Sequence, residues 1–160
     1  IALRGRLVFR EYWRDPAATA AAIRDGWFFT GDLAQRGEDG GLYLAGRSKD
    51  IIVTGGYNVS PAEVEAVLDK HPGVHQCAVV GLPDREWGEQ VTAFVVPKDG
   101  GEYTEAGLID YCREHLTSYK KPKAIHFVQS LPFNQNGKIM RQKLREDFAD
   151  AGGHLAAAQR

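Results

Sequence analysis

The sequence predicts an α+β fold for most of the chain, a small sheet covered by helices, with a β-rich section before it. Two observations lead to this class. After Gly55 and Gly56, stretches with apolar residues at helical spacing alternate with short apolar runs that are typical of strands. Before these glycines, short strand-like stretches are separated by turns, and they are too short to bury a core of their own.

The β-rich section is predicted to contain one helix among several strands. Residues 2–9 alternate apolar and polar side chains, which indicates a strand. Asp15 as N-cap and Pro16 in the first turn open a short alanine-rich helix, which Gly26 closes. Further strands are expected at residues 27–29, 42–45 and 51–54, with a turn at 37–41 and a charged connector at 46–50.

The second section begins with a clear helix start signal. Residues 60–63 read Ser-Pro-Ala-Glu, a capping box with proline at the first helical position. Val64, Val67 and Leu68 follow at helical spacing, so this helix is predicted to be amphipathic. Strands are expected next at 74–80 and 90–96, separated by a loop at 81–88. A helix from Thr104 follows, which buries Leu108, Ile109, Cys112 and Leu116. A strand at 124–128 and a final helix that carries Leu144 and Phe148 complete the section.

Composition excludes several classes of protein. Hydrophobic residues make up 43% of the chain, which is enough for a packed core. The formal net charge of −1 gives no basic field for a nucleic-acid backbone. No apolar run approaches the ~20 residues that a membrane-spanning helix needs, and no signal peptide is visible. The five histidines are scattered without metal-ligand spacing, so no metal site is expected.

The cysteines and the chain start lead to further expectations. Cys77 and Cys112 fit no metal spacing and have apolar neighbours, so we expect reduced core thiols and a cytoplasmic protein. Ile1 lies inside a predicted strand with no initiator methionine, which predicts the back end of a longer protein. The expected division is residues 1–46 as the end of one domain, a hinge at 47–50, a second domain at 51–150, and a disordered tail at 151–160.

Three segments before residue 60 carry side chains or backbone suited to ligands. Asp32 follows a glycine at a strand end, where its carboxylate suits the paired hydroxyls of a ribose, although a turn or N-cap aspartate fits as well. Arg47 lies in a charged, glycine-flanked connector, which is either a solvated hairpin turn or a hinge. Its guanidinium suits phosphate or ribose oxygens. Gly55 and Gly56 indicate either a tight hairpin turn or a close approach of backbone to a ligand.

A fourth segment, residues 132–139, reads Pro-Phe-Asn-Gln-Asn-Gly-Lys-Ile and places Lys138 in a loop before a helix. A lysine next to a mobile glycine is a cation on a short swinging arm, which can approach a phosphate or carboxylate and then withdraw. Such loops are common, and a solvated turn lysine is the alternative interpretation from this segment alone.

Taken together, these and other short segments follow one another in a specific order and spacing. They are Arg4 and Gly5, Tyr12 and Trp13, residues 25–32, Gly46 and Arg47, residues 55–58, Pro61, Glu63, Glu65, Gly88 and Glu89, and residues 132–139. In this order they resemble the C-terminal end of the adenylate-forming superfamily, which comprises acyl-CoA synthetases, peptide-synthetase adenylation domains and luciferases. The resemblance runs from Arg4 to about Phe148. It implies a C-terminal lid domain preceded by a β-rich remnant of a large N-terminal domain.

The resemblance also implies a two-step reaction. In the first step, a carboxylate attacks the α-phosphate of Mg-ATP to give an acyl-adenylate and pyrophosphate. Lys138 matches the lysine that bridges the carboxylate and the nucleotide, Asp32 the aspartate on the ribose hydroxyls, and Arg47 the arginine beside it. ATP, Mg²⁺ and coenzyme A are therefore expected, together with a carboxylic acid whose pocket belongs to the missing N-terminal domain.

Before the second step, the resemblance implies a rotation of the small domain. Lys49 occupies the hinge position, where some relatives carry aspartate and others lysine. Rotation would withdraw Lys138 from the active site. The backbone of Gly55, Gly56 and Tyr57 would then line a tunnel for the pantetheine thiol.

The expected acceptor of the acyl group is coenzyme A. Residues 84–88 and 118–123 look most like those of acyl- and aryl-CoA synthetases, in which this tryptophan loop and this basic stretch lie near the CoA nucleotide. Trp87 is therefore a candidate contact, Tyr119 could stack on adenine, and Lys121 or its neighbours could pair with the 3′-phosphate. A solvated lysine face is the alternative.

Two other functions stay open at this point. The chain could belong to an adenylation enzyme that loads a separate carrier protein, or it could be a non-catalytic regulatory or binding module of the same fold. Luciferase-type oxidation is disfavoured, because Val53 stands where luciferases carry a second catalytic lysine. Since the phosphate loop and the acyl pocket lie outside these residues, we expect no turnover from this chain alone.

Overall fold

A computed structural model describes residues 1–101 and 103–150 of the chain. They form two compact units, Ile1–Lys49 and a second unit that begins at Asp50. The tail predicted to be disordered, residues 151–160, lies outside the described residues. Among the residues described, no helix is both long enough and apolar enough to cross a membrane.

The first unit consists of short elements around small sheets. Its elements are β1 (Ala2–Leu3), α1 (Pro16–Ala22), β2 (Ile23–Arg24), β3 (Trp27–Phe29), β4 (Asp32–Arg36) and β5 (Leu42–Arg47). The first three strands form a sheet of order β1-β3-β2, and β4 pairs with β5 in a separate antiparallel ladder. No residue of this unit is buried. This agrees with the prediction that the section cannot bury a core of its own.

The local predictions for the first unit hold in part. The Asp15 carboxylate accepts the backbone N–H of Ala18 at 2.8 Å, which confirms it as the N-cap of α1. The strand expected at residues 2–9 is wrong beyond Leu3, because a turn closed by the N–H of Val8 and the carbonyl of Gly5 interrupts it. Strand β4 was not predicted, since its pattern is weak and it depends on pairing with β5.

The second unit is a mixed sheet with helices on both faces, and this confirms the predicted α+β class. Its elements are β6 (Ile52–Thr54), β7 (Tyr57–Val59), α2 (Pro61–Leu68), β8 (Val74–Asp84), β9 (Gly88–Pro97), α3 (Glu105–His115), β10 (Ala124–Phe127) and α4 (Arg141–Asp150). The central strand β9 pairs antiparallel with β8 on one edge, and on the other edge with β10 in parallel and with the β6–β7 hairpin.

Alternation along β8 and β9 divides the core into two layers. Successive side chains of a strand point to opposite faces of the sheet. Val91, Ala93 and Val95 pack with α2 and α3, whereas Phe94 and Val96 pack with α4. Both faces of β9 are therefore buried, which explains its nearly continuous apolar sequence.

Three details of the second unit differ from prediction. The loop expected at 81–88 is shorter, because β8 extends to Asp84 and β9 begins at Gly88, so the ladder continues almost to the turn. Strand β7 was missed, since three residues give little periodicity. The capping box is wrong in its contacts: the Ser60 side chain makes no cap hydrogen bond, and the Glu63 carboxylate instead pairs with Lys120 at 2.6 Å. The predicted helix start at Thr104 is confirmed, since its hydroxyl accepts the N–H of Gly107.

Candidate functional site

Asp32 and Arg47 lie directly opposite each other in the first unit. They are paired residues of the β4–β5 ladder, and Nε of Arg47 is 3.0 Å from Oδ1 of Asp32. The two side chains keep 51% (Arg47) and 31% (Asp32) of their surface exposed, so both can still reach a ligand. Arg47 is the last residue of a strand rather than part of a loose connector. The two predicted nucleotide-binding side chains thus form one charged pair.

The segment predicted as a hinge is short and is held to Gly31, just before β4, by both the N–H and the hydroxyl of Ser48. Ser48–Asp50 form a single 3-10 turn. The N–H of Ser48 donates to the carbonyl of Gly31 at 2.8 Å. Lys49 is exposed, and the two compact units divide directly after it.

Gly55 and Gly56 form the two-residue turn of the β6–β7 hairpin. Their φ angles are +56° and +83°, and Thr54 pairs with Tyr57 on either side. A turn with positive φ at both central residues matches the twist of the flanking strands and favours glycine. Of the two interpretations that the sequence left open, the hairpin turn is therefore present.

A second reason for glycine at position 55 is the indole of Trp87. A Cβ at Gly55 would lie 2.6 Å from Cε3 of Trp87, well inside van der Waals contact, and the N–H of Gly55 donates to the Trp87 carbonyl at 2.9 Å. The Nζ of Lys123 lies 3.7 Å from the centroid of the indole ring, a close cation–π contact. Trp87 is thus held between the hairpin and a lysine.

Asp84 fixes the turn that presents Trp87. Its carboxylate accepts the N–H groups of Glu86 at 2.9 Å and of Trp87 at 2.8 Å. These backbone donors, that of Trp87 first, lower the pKa of Asp84 below its ordinary value, and the charge of Lys123 acts in the same direction. Asp84 therefore stays ionised and keeps the β8–β9 turn closed.

Tyr57 and Tyr119 form a second aromatic contact beside the hairpin. Their ring centroids are 4.5 Å apart with an interplanar angle of 21°, a stacked arrangement. Next to Tyr119, Lys120 pairs with Glu63, whereas Lys121 is half-buried. We call the group formed by Gly55, Tyr57, Trp87, Tyr119 and Lys123 the aromatic–lysine surface. It joins three segments that are far apart in sequence.

Lys138 lies at the end of a closed loop, not on a loose arm. The Asn134 side chain accepts the N–H groups of Asn136 and Lys138, both at 2.9 Å, and the N–H of Asn134 donates to the Lys138 carbonyl at 2.9 Å. Gly137 has φ of +73°, which the turn requires and glycine supplies at no steric cost. The backbone of the loop is therefore closed by its own hydrogen bonds, and the swinging movement of Lys138 stays a prediction.

The ammonium of Lys138 is free to meet a ligand. The residue is exposed, and within residues 1–101 and 103–150 no carboxylate lies within ion-pair distance of its Nζ. The described residues contain no cluster of three His, Cys, Asp or Glu that could hold a metal ion. A fixed loop with an exposed cation suits recognition of an anion that another part of the protein holds.

The sequence did not predict several contacts that shape these surfaces. They are made by Asp84, Lys123 and Asn134 and by the ion pairs Glu63–Lys120 and Glu65–Arg141. An Asp or Asn followed within three residues by a turn is a recognisable Asx-turn signal, and it could have identified Asp84 and Asn134. The ion pairs join residues 57 and 76 positions apart, for which no local signal exists.

Comparison with known families identifies the second unit. Residues 63–138 match the family described as "AMP-binding enzyme C-terminal domain". This part of the chain is a C-terminal domain of the AMP-binding enzymes. The family assignment agrees with the resemblance found in the sequence, and the matched residues include the turn of Trp87, the Tyr119 segment and the whole loop up to Lys138.

Curated relatives of this chain are CoA ligases by name. It is 48% identical over 145 residues to the 2-succinylbenzoate–CoA ligase of Geobacillus kaustophilus, covering 91% of the chain and 30% of that relative. It is 42% identical over 149 residues to the long-chain-fatty-acid–CoA ligase FadD13 of Mycobacterium tuberculosis, covering 93% of the chain and 29% of that relative. The chain thus spans less than a third of the length of these relatives.

A solved structure of similar sequence supports the same family. The amide bond synthetase McbA of Marinactinospora thermotolerans matches with a TM-score of 0.84 and 41% identity, over 92% of this chain and 30% of that chain. The fold of this chain is therefore shared with a protein named as an amide bond synthetase, whereas the two curated relatives are named as CoA ligases.

Proposed function

We propose that the chain is the C-terminal part of an ATP-dependent carboxylate–CoA ligase that releases AMP and pyrophosphate. The observation that carries the proposal is the aromatic–lysine surface beside the glycine hairpin, because it offers stacking faces and cations next to a narrow backbone turn. The names of the curated relatives support the same chemistry. The proposed compartment is the cytoplasm, supported by two free, buried cysteines.

In the proposed first step, a carboxylate oxygen of the acid forms a bond to the α-phosphorus of ATP and pyrophosphate leaves. Lys138 supplies positive charge to the attacking and phosphoryl oxygens as negative charge develops there. Its exposed ammonium supports this role. Asp32 accepts hydrogen bonds from the ribose hydroxyls, and Arg47 lies beside these hydroxyls. The ion pair between Asp32 and Arg47 supports this placement. Mg²⁺ accompanies the phosphates of ATP as part of the substrate.

In the proposed second step, the thiol sulfur of CoA bonds to the acyl carbonyl carbon and AMP leaves. Gly55, Gly56 and Tyr57 line the path of the pantetheine arm, since a glycine turn allows close approach of a ligand. Trp87 and Tyr119 offer faces to the adenine. Lys121 is the proposed partner of the 3′-phosphate. Of its neighbours, Lys120 pairs with Glu63, and Lys123 lies over Trp87.

The two steps are proposed to use two orientations of the domain at 51–150. Residues 47–50 are the proposed hinge, with Lys49 as the residue whose backbone angles change. Its place at the division between compact units, after a single 3-10 turn, supports this assignment. Residues 1–46 are proposed to be the end of a larger N-terminal domain, which the many exposed apolar side chains of the first unit support.

The full-length protein tests this function directly. ATP–pyrophosphate exchange is measured across a panel of carboxylic acids, and acyl-CoA formation is measured with the acid that works best. Exchange together with acyl-CoA is the expected result. Exchange without acyl-CoA would indicate a carrier-protein or amine acceptor, and no exchange with any acid would indicate a non-catalytic module. The isolated chain of 160 residues is expected to show neither activity.

A further inference from the structure

One partly buried ion pair joins three elements of the second unit. Nη2 of Arg141 donates to both carboxylate oxygens of Glu65, at 2.7 and 2.8 Å. Oε1 of the same carboxylate accepts the backbone N–H of Val79 at 2.8 Å. The Arg141 and Glu65 side chains are only 23% and 15% exposed. Glu65 thus connects α2, the outer edge of β8 and the first residue of α4.

This junction lies at the base of the loop that carries Lys138. The loop closes where the N–H of Met140 donates to the Pro132 carbonyl at 2.8 Å and where Phe133 pairs with Ile139. Arg141 follows immediately as the first residue of α4. Because the loop is internally closed, its placement on the domain depends on what holds its two ends.

The two ends of the loop are held differently. Leu131, before the loop, is buried in the apolar layer under α4. Apolar contacts are not directional, so they leave the loop some freedom to tilt. Arg141, after the loop, is held by charge-assisted hydrogen bonds from Nη2 to the two carboxylate oxygens of Glu65. Ile139, at this second end, also packs against the apolar layer, so the hydrogen bonds of Arg141 are what distinguish this end of the loop from the first.

We propose that Glu65 and Arg141 are positioning residues for Lys138, and that they act on adenylate formation and not on thioester formation. This proposal rests on the proposed role of Lys138. Removing either partner leaves the other partly buried and unpaired, which weakens the attachment of the loop. A misplacement of a reacting group by about 1 Å can cost on the order of 10²-fold in rate.

The aromatic–lysine surface does not depend on the same junction. Trp87 is held by the β8–β9 turn, by Gly55 and by Lys123, and Tyr119 is held by Tyr57. None of these contacts involves Glu65 or Arg141. A change at Arg141 should therefore separate the two half-reactions, whereas general damage to the domain would reduce both.

The test uses the full-length enzyme and measures the half-reactions separately. Arg141→Met is expected to lower the rate of adenylate formation on the order of 10²-fold with little change in KM for ATP. Thioester formation from supplied acyl-adenylate should stay at the parent rate. Arg141→Lys keeps the charge and should restore part of the loss. Glu65→Gln keeps an acceptor for Val79 but removes the charge, and should resemble Arg141→Met.

A matched control is available on the same helix. Nε of Arg145, one turn after Arg141, donates to the Gly81 carbonyl at 3.2 Å, and the contact is partly buried. Arg145→Met removes a guanidinium from α4 without touching the junction. It should leave the ratio of the two half-reaction rates unchanged.

Four outcomes would overturn the proposal. Equal loss of both half-reactions in Arg141→Met, Arg141→Lys and Glu65→Gln would mean that the pair only holds the domain together. Parent rates in all three variants would mean that the loop needs no such anchor. Lys138→Ala separates this proposal from the proposed function: if it abolishes adenylate formation while Arg141→Met does not, only the positioning role is wrong. If Lys138→Ala is without effect, both are wrong.

Discussion

Replacing Gly55 with alanine is expected to disturb the hairpin in two separable ways. The residue has φ of +56°, and a left-handed conformation costs an L-residue roughly 1–2 kcal/mol. The new Cβ would also lie 2.6 Å from the indole of Trp87, which would have to move. Overpacking of this kind costs typically about 1–3 kcal/mol. We therefore expect Gly55→Ala to lower the free energy of unfolding by roughly 2–5 kcal/mol.

The neighbouring glycine provides the control. Gly56 has φ of +83°, but a Cβ there meets nothing within 4 Å. Gly56→Ala should therefore show only the backbone cost of roughly 1–2 kcal/mol. Urea unfolding followed by far-UV circular dichroism, with each variant beside the parent chain, gives the two differences. Their gap measures the contact between position 55 and Trp87.

The same two alanine variants also test the functional role of the contact between position 55 and Trp87. A displaced Trp87 would leave its position over Lys123, where the ring centroid now lies 3.7 Å from the ammonium. In the full-length enzyme, Gly55→Ala should raise KM for CoA and leave adenylate formation intact. Equal destabilisation by the two alanine variants would show that Trp87 is not the reason for glycine at position 55, and the reasoning would be refuted.

Three further predictions concern the thiols, the hinge and the Lys138 loop. Burial raises the pKa of Cys112 from 9.0 to about 11 and raises that of Cys77 further, so both should react slowly with a thiol reagent at pH 8 until denaturant is added; fast labelling of the native chain would contradict this. The pKa of Cys112 is higher in the folded than in the unfolded chain. The stability contributed by its neutral thiol is therefore fully present below pH 9.0 and should be lost as pH rises through about 11, which unfolding at stepped pH would reveal. Lys49→Pro, which fixes φ near roughly −65°, should slow thioester formation more than adenylate formation, and an unchanged thioester rate would argue against a hinge there. Asn134→Ala removes the acceptor of two N–H groups and should slow adenylate formation. Asn134→Asp keeps an oxygen acceptor for both N–H groups, so it should keep the parent rate of adenylate formation if these hydrogen bonds are what the step requires.

The fold was predictable where the signal is local. The N-cap at Asp15 is a side chain that bonds within three residues, and it forms as expected. A helix start was expected near Thr104, and the Thr104 hydroxyl caps that helix. Short apolar runs placed strands near 74–80 and 90–96 correctly. The sequence could not show how far β8 and β9 extend. The last residue pairs of their ladder, such as Asp84 with Gly88, form only because the rest of the ladder already exists.

The capping box shows why a local motif can still fail. Ser60 and Glu63 have the right spacing, but a lysine 57 residues further along the chain takes the Glu63 carboxylate. An ion pair with an ammonium competes with a neutral backbone N–H for the same oxygen atoms. The helix nevertheless begins at Pro61, because proline at the first turn has its φ already set.

In the candidate site, too, the local features were predictable from the sequence and the long-range contacts were not. The residue types at 32, 47, 55–57, 87, 119 and 138 were recognisable from the sequence. Their grouping was not, because Tyr57 and Tyr119 stack across 62 positions of chain and Trp87 reaches Gly55 only through the fold. The attachment of the Lys138 loop through Arg141 and Glu65 was equally invisible, since it spans 76 positions.

The most direct test of the proposed mechanism is the effect of Lys138→Ala on each half-reaction of the full-length enzyme. The exposed ammonium of Lys138, held on a closed loop, is assigned to the first step alone. The variant should lose adenylate formation, measured by ATP–pyrophosphate exchange, while it still converts supplied acyl-adenylate and CoA into thioester. Equal loss of both rates, or retention of pyrophosphate exchange, would contradict the account.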